Sequence, residues 1–156
     1  EEMTARGLTP SSILIDNEQI DLQKSTATLL DVPIGSQAQR ITRVRCGDDE
    51  PIALEIVTIP SWVGVNLSEA DLAGSLYQVM ASKYGINVQS AQLEISVVNG
   101  SANTCGLLRV DAGSPLMRID MIDVDNRGRR VMAATRWYRA DRYHVRLSAG
   151  RMASRV

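Results

Sequence analysis

Two strand–turn–strand patterns, one in each half of the chain, constrain the fold most. Residues 39–45 and 52–59 alternate in character and are rich in β-branched side chains, and Gly47-Asp-Asp-Glu-Pro51 lies between them. Residues 116–124 and 131–139 flank Asp125-Asn-Arg-Gly128 in the same way. A tight turn can join only antiparallel neighbours, so each half should contain an antiparallel hairpin. Further strands are predicted over 11–16, over 89–98 with Ala91, Leu93, Ile95 and Val97 facing inward, and over 143–147. Short helices are predicted between them. One runs over 25–30 and ends at Val32-Pro-Ile-Gly35. Ser68-Glu-Ala-Asp71 reads as a capping box, and Ser75-Leu-Tyr-Gln78 repeats that logic ahead of a helix stopped by Gly85. Ser101 caps a last helix through 108. The fold class expected is α+β, a mostly antiparallel sheet with flanking helices. No internal repeat stands out.

The 156 residues suit one domain. Residues 1–10 read as an entering linker, because Pro10 disfavours helix at Thr9. The domain proper is assigned to 11–150 and a frayed tail to 151–156. Phenylalanine is absent, so aliphatic and Met side chains must fill the core. A net charge of −1 provides no field for nucleic acid or an anionic membrane. No apolar run approaches the roughly 18 residues of a membrane span. Cys46 and Cys105 are not a disulfide framework, and they read as two free thiols in a reducing compartment, the cytoplasm.

The informative side chains are charged residues placed among apolar ones. On 39–45, Ile41, Arg43 and Arg45 share a face, with the arginines about 7 Å apart. Two guanidiniums on one face suit bidentate capture of phosphate or carboxylate, and a solvated charged face is the alternative. Glu55 lies between Ala53 and Val57 on its strand face. It reads equally as an acceptor for ligand hydroxyls and as a cross-strand partner of Arg43 or Arg45. Ser75 could offer an anion a helix N-terminus, or simply cap the helix. Tyr77 is either core or a pocket wall with a polar tip. Met132, Arg136 and Tyr138 fall on one strand face, where an arginine is natural for an anion pocket or for an outer surface. Asp141 and Arg142 read as structural, pinning a turn.

Catalytic patterns are missing. His144 is the only histidine and no motif places it near a serine. There is no P-loop and no GxGxxG. No spacing supports a metal site, so neither cofactor nor metal is expected.

The pieces Gly7-Leu-Thr-Pro-Ser-Ser12, Arg40-Ile-Thr-Arg-Val-Arg45, Pro51-Ile-Ala-Leu-Glu55, Gly74-Ser-Leu-Tyr77, the 108–116 stretch and Tyr138-Arg-Ala-Asp-Arg-Tyr143, in this order, resemble the UTRA domain. That domain is the effector-binding module of GntR-type transcriptional regulators of the HutC subfamily, and the resemblance covers nearly the whole chain. It implies a chorismate-lyase-like fold around a small-molecule pocket. It also implies a homodimer, DNA contact only through a preceding winged helix-turn-helix, no membrane partner and no enzymatic role. A chorismate-lyase-like enzyme on the same fold is the alternative. The resemblance puts Arg43, Arg45, Ser75 and Tyr77 around a phosphate, and Glu55 and Tyr138 against a sugar. Met132 stands where sugar-phosphate sensors often have Glu, and Arg136 where a small residue is common. These departures point to a more anionic, less hydroxylated effector than an amino-sugar phosphate: a phosphate, phosphonate or carboxylate.

Overall fold

The computed structural model describes residues 7–64 and 66–145. Six strands form one fully antiparallel sheet: β1 (Pro10–Asp21), β2 (Gln37–Gly47), β3 (Glu50–Pro60), β4 (Val88–Asn99), β5 (Pro115–Asp125) and β6 (Arg130–Arg139). Their spatial order is β1-β2-β3-β6-β5-β4. The α+β antiparallel architecture expected from the hairpins is therefore the one found.

The sheet is two three-stranded meanders joined where β3 meets β6. Each meander has the same plan: a long strand, a seven-residue helix, then a hairpin. Helix α1 (Lys24–Leu30) follows β1, and α4 (Ala102–Leu108) follows β4. Both helices end on a non-glycine residue in the left-handed region, Asp31 (φ 56°) and Arg109 (φ 55°). Such a residue lets the chain reverse and return its amide protons to the last-turn carbonyls. The architecture is duplicated although the sequence shows no repeat. Two further helices, α2 (Glu69–Leu72) and α3 (Leu76–Tyr84), bridge the halves.

Local chemistry explains the elements. Asp48 and Asp49 both adopt positive φ (51° and 64°), the backbone needed for a two-residue hairpin between β2 and β3. The Thr9 amide donates to Asp48 Oδ1 at 2.9 Å and fastens the chain entry to that turn. Ser68 and Asp71 form the reciprocal capping box, and Ser75 caps α3 by accepting from the Gln78 amide. Helix α3 stops at Gly85 (φ 66°). The main core lies on one sheet face. There Leu72, Leu76 and Met80 of the bridging helices pack on Ile41, Val57, Met121, Met132 and Ala134. The opposite face carries α1 and α4 at its two ends, with Cys46 and Cys105 buried and unpaired by disulfide under α4.

Three expectations need correction. First, β1 runs to Asp21, well past residue 16. Its second half is polar because it is an edge strand with much of its surface in water, so apolar alternation could not reveal it. Second, Ala91, Leu93, Ile95 and Val97 are exposed, the last three at 56%, 42% and 76%, not inward. β4 is the other edge strand, and among the described residues no helix covers its apolar face. Third, residues 143–145 are not a strand, and the remainder of that predicted element lies outside the described residues.

Candidate functional site

Strand register assembles the site. Reading across the sheet on the core face, Leu14, Arg43, Glu55, Arg136, Ile119 and Ile95 form one transverse row. The next row is Ser12, Arg45, Ala53, Tyr138, Met117 and Val97. Period-two alternation forces this: once Arg43 faces Glu55, residues two along must face each other as well. Arg43, Arg45, Glu55, Arg136 and Tyr138, all singled out in the sequence, thus share two adjacent rows at the centre of the sheet.

Glu55 links the two meanders. Its Oε1 accepts from Arg43 Nε (2.8 Å) and pairs with Nη2 (2.7 Å). Its Oε2 accepts from Arg136 Nε at 2.5 Å. Burial alone would raise the carboxyl pKa. The charges and hydrogen bonds of Arg136 and Arg43 outweigh it and bring the value down to about 2. For Arg136, burial works against the charged form, but the Glu55 carboxylate dominates and raises the pKa. The cross-strand pairing left open by the sequence is therefore present, and Arg136 is a paired cation rather than an additional free one.

The three arginines differ in what they still offer. Arg43 is 3% exposed, and its Nη1 also donates to the carbonyls of Leu72 (2.8 Å) and Gly74 (3.1 Å). It pins the α2–α3 connection to the sheet. Arg45 uses Nη1 on Gly74 O (2.9 Å) and Ser12 Oγ (2.8 Å), and Nε and Nη2 make no further bond among the described residues. Its pKa is lowered, first by burial and then by Arg43 beside it. Beyond Glu55, Arg136 Nη1 lies 3.6 Å from the Met121 sulfur, and the guanidinium also interacts with the Tyr77 hydroxyl. A thioether is a weak acceptor, so that donor remains available to a stronger one. Between Arg45 and Tyr138 in their row stands Ala53, a small side chain that is itself buried. Tyr138 stacks on Tyr143 with centroids 3.9 Å apart.

Tyr77, on the first turn of α3, reaches down to the sheet. Its hydroxyl lies 3.0 Å from Asp123 Oδ2 and 3.9 Å from Met121 Sδ. Burial above all pushes its pKa up to about 12. Ser75 Oγ serves as the helix cap, next to the Gly74 carbonyl that holds both Arg43 and Arg45. Met132 is fully buried in the core cluster.

Sequence reasoning passed over Asp123. It is 1% exposed and sits directly across from Met132 in the β5–β6 register. The carboxylate missing at Met132 is thus present one strand away. A signal was available: Ile119, Met121 and Asp123 alternate onto one face, the same acid-among-apolar pattern that drew attention to Glu55. Met121 and the Leu72 and Gly74 carbonyls were missed for a different reason, since sequence alone does not show what a backbone carbonyl faces.

A cleft of about 450 Å³ lies on the opposite sheet face, lined among others by Ile20, Leu29, Ile56, Thr58 and Thr135. It does not reach the arginine rows. Among the described residues no three His, Cys, Asp or Glu side chains gather as metal ligands, and no helix is long and apolar enough to cross a membrane.

Comparison with known proteins gives a consistent result. Residues 5–144 match the family model described as the UTRA domain. The HTH-type transcriptional repressor NagR of Bacillus subtilis is 31% identical over 143 residues, covering 92% of this chain and 59% of NagR. The chain therefore spans little more than half the length of that relative. Among solved structures, the ligand-binding domain of a GntR-family transcriptional regulator from Bordetella bronchiseptica superposes with a TM-score of 0.86 at 22% identity, covering 91% of this chain and 90% of that one. A transcriptional regulator from Streptomyces coelicolor gives a TM-score of 0.81 at 29% identity, covering 88% and 91%. The matched span takes in both meanders, the bridging helices and every residue of the charged rows, and the chain belongs to the UTRA domain family.

Proposed function

We propose that this chain is the effector-sensing and dimerisation domain of a GntR-type regulator of the HutC subfamily. In this reading it works in the cytoplasm as part of a homodimer whose DNA contacts come from a winged helix-turn-helix outside this sequence. The ligand is a small anionic metabolite carrying a phosphate, phosphonate or carboxylate. The observation that carries the reading is the pair of arginines Arg45 and Arg136, on strands flanking β3, whose bonds among the described residues leave Nε and Nη2 of Arg45 and the sulfur-facing Nη1 of Arg136 without a strong acceptor. Guanidiniums held rigid by protein acceptors are preorganised for an oxyanion, which then pays little ordering cost. Tyr138 forms one wall and Tyr77 reaches in from α3. Glu55, Ser75 and Met132 belong to the surroundings: the first orients Arg136, the second caps α3, and the third backs the core.

Dimerisation is supported by the uncovered stripe of Leu93, Ile95 and Val97 on the edge strand β4. A contiguous exposed apolar face of this kind is a common mark of a protein contact. Effector control of DNA binding would then be a coupling between the ligand site and the distance separating two DNA-binding heads. The names of the relatives favour a regulator over a chorismate-lyase-like enzyme, and release of pyruvate from chorismate is the discriminating assay.

A thermal-shift screen of phosphorylated sugars, phosphonates and organic acids tests the reading. At 100 times its dissociation constant a ligand adds about 2.7 kcal/mol, which moves Tm by several degrees. A hit that disappears in Arg45→Ala supports an anion sensor. A hit that keeps its full shift in that variant rejects this site.

A further inference from the structure

Asp123 has one oxygen against the Tyr77 hydroxyl and another, Oδ1, that is buried with no hydrogen-bond partner. As a carboxylate this arrangement is expensive, because a buried charged oxygen is left unsatisfied. As a neutral acid protonated on Oδ2 it is much cheaper: Oδ2–H points at Tyr77, and the orphaned oxygen is an uncharged carbonyl. The same change reverses the hydrogen bond. A tyrosine hydroxyl has one proton. If Asp123 is ionised, it takes that proton, and Tyr77 shows an anion only lone pairs. If Asp123 is neutral, it donates to Tyr77, whose oxygen can accept from both Asp123 and Arg136 and whose own proton is then free for a ligand oxygen.

We propose that Asp123 is a positioning residue for effector binding: it carries its proton on Oδ2, donates it to Tyr77 Oη, and so sets Tyr77 as a hydrogen-bond donor to the effector's anionic group. The assignment of that anionic group rests on the proposed function above, whereas the proton on Asp123 does not. The surroundings agree. Burial pushes the Asp123 carboxyl up as the largest effect. Tyr77 from α3 and the Arg136 charge from β6 oppose it, and Glu55 from β3 adds to it. Across the sheet its neighbours are Met132 on β6 and Ala91 on β4, neither of which carries charge.

Two measurements on the 156-residue chain test this. Carboxyl ¹³C NMR follows each aspartate through a pH titration. Asp123 titrating above the ordinary value of about 3.9 supports the proposal, and titration at or below it overturns the proposal. Calorimetry with sulfate, whose charge is constant across the range, then compares the parent with Asp123→Asn, whose amide can donate to Tyr77 at every pH. The parent should lose affinity as pH rises through the Asp123 titration, while Asp123→Asn stays flat. Equal pH profiles in the two proteins overturn the proposal. Absence of sulfate binding in both, with Asp123 titrating high, removes the anion reading of the site and leaves the Asp123–Tyr77 proton assignment standing.

Discussion

Glu55→Gln isolates the charge at the centre of the sheet. Glu55 is 3% exposed and holds Arg43 and Arg136 from opposite sides. Glutamine keeps the shape but removes the charge, leaving two guanidiniums facing one neutral acceptor. The cost follows from linkage. The folded carboxyl sits at about 2 against an ordinary 4.5. At about 1.4 kcal/mol per unit, that difference corresponds to about 3 kcal/mol, the low end of the range for breaking a buried pair. For a domain of this size, about 2–4 °C are lost per kcal/mol, so Tm should fall by about 6–12 °C at neutral pH. The sign of the pH dependence is fixed. A depressed carboxyl pKa adds stability that is present above the unfolded value and lost as pH falls through the folded one. The gap between parent and variant should therefore close between about pH 4.5 and pH 2. Melting curves by circular dichroism across that range provide the check. A variant that melts with the parent at neutral pH, or a gap that persists unchanged at low pH, refutes the reasoning.

Other consequences separate the arginines and the edges. Arg45→Ala should cost no more than about 1 kcal/mol, since its bonds are to a half-exposed hydroxyl and a carbonyl, yet abolish ligand-induced stabilisation. Arg43→Ala should lose about 3–5 kcal/mol with or without ligand, and equal urea midpoints for the two variants would contradict the division of roles. Gly100→Ala places a methyl 2.8 Å from Leu116 Cδ1 and against the Cys105 sulfur, so about 1–3 kcal/mol of stability should go; an unchanged Tm counts against this packing. Val97→Asp puts a charge on the exposed stripe of β4 and should shift sedimentation from dimer to monomer without lowering the monomer's Tm. A dimer that survives places the interface elsewhere.

Much of the framework was legible because its signals are local. The turns at Asp48-Asp49 and Asp125–Gly128 announced antiparallel hairpins, and Ser68, Ser75 and Ser101 marked helix starts because each hydroxyl accepts from a backbone amide three residues on. Alternation also put Arg43 and Arg45 on one face correctly. It failed on β4, because period two shows that two faces differ and not which of them is covered. Leu93, Ile95 and Val97 look like a core face in any window of sequence; only the position of β4 at the sheet edge exposes them.

The partner of Glu55 illustrates the other limit. Arg136 lies 81 residues away, and nothing local ties the two together. Their meeting depends on which strands close the seam between the meanders, and that seam is the shortest pairing in the sheet: six residue pairs, from Ala53–Tyr138 to Thr58–Ala133, against nine or more for every other strand pair. Arg45 belongs to the first meander and Arg136 to the second, so an anion gripped by both spans the place where the fold is least secured by backbone hydrogen bonds. A ligand there acts on the relation between the two halves rather than on either alone. That is the physical requirement for a sensor: binding must favour one arrangement of the halves over another. A site built within a single hairpin could hold the same anion, but it would leave the relation between the halves unchanged.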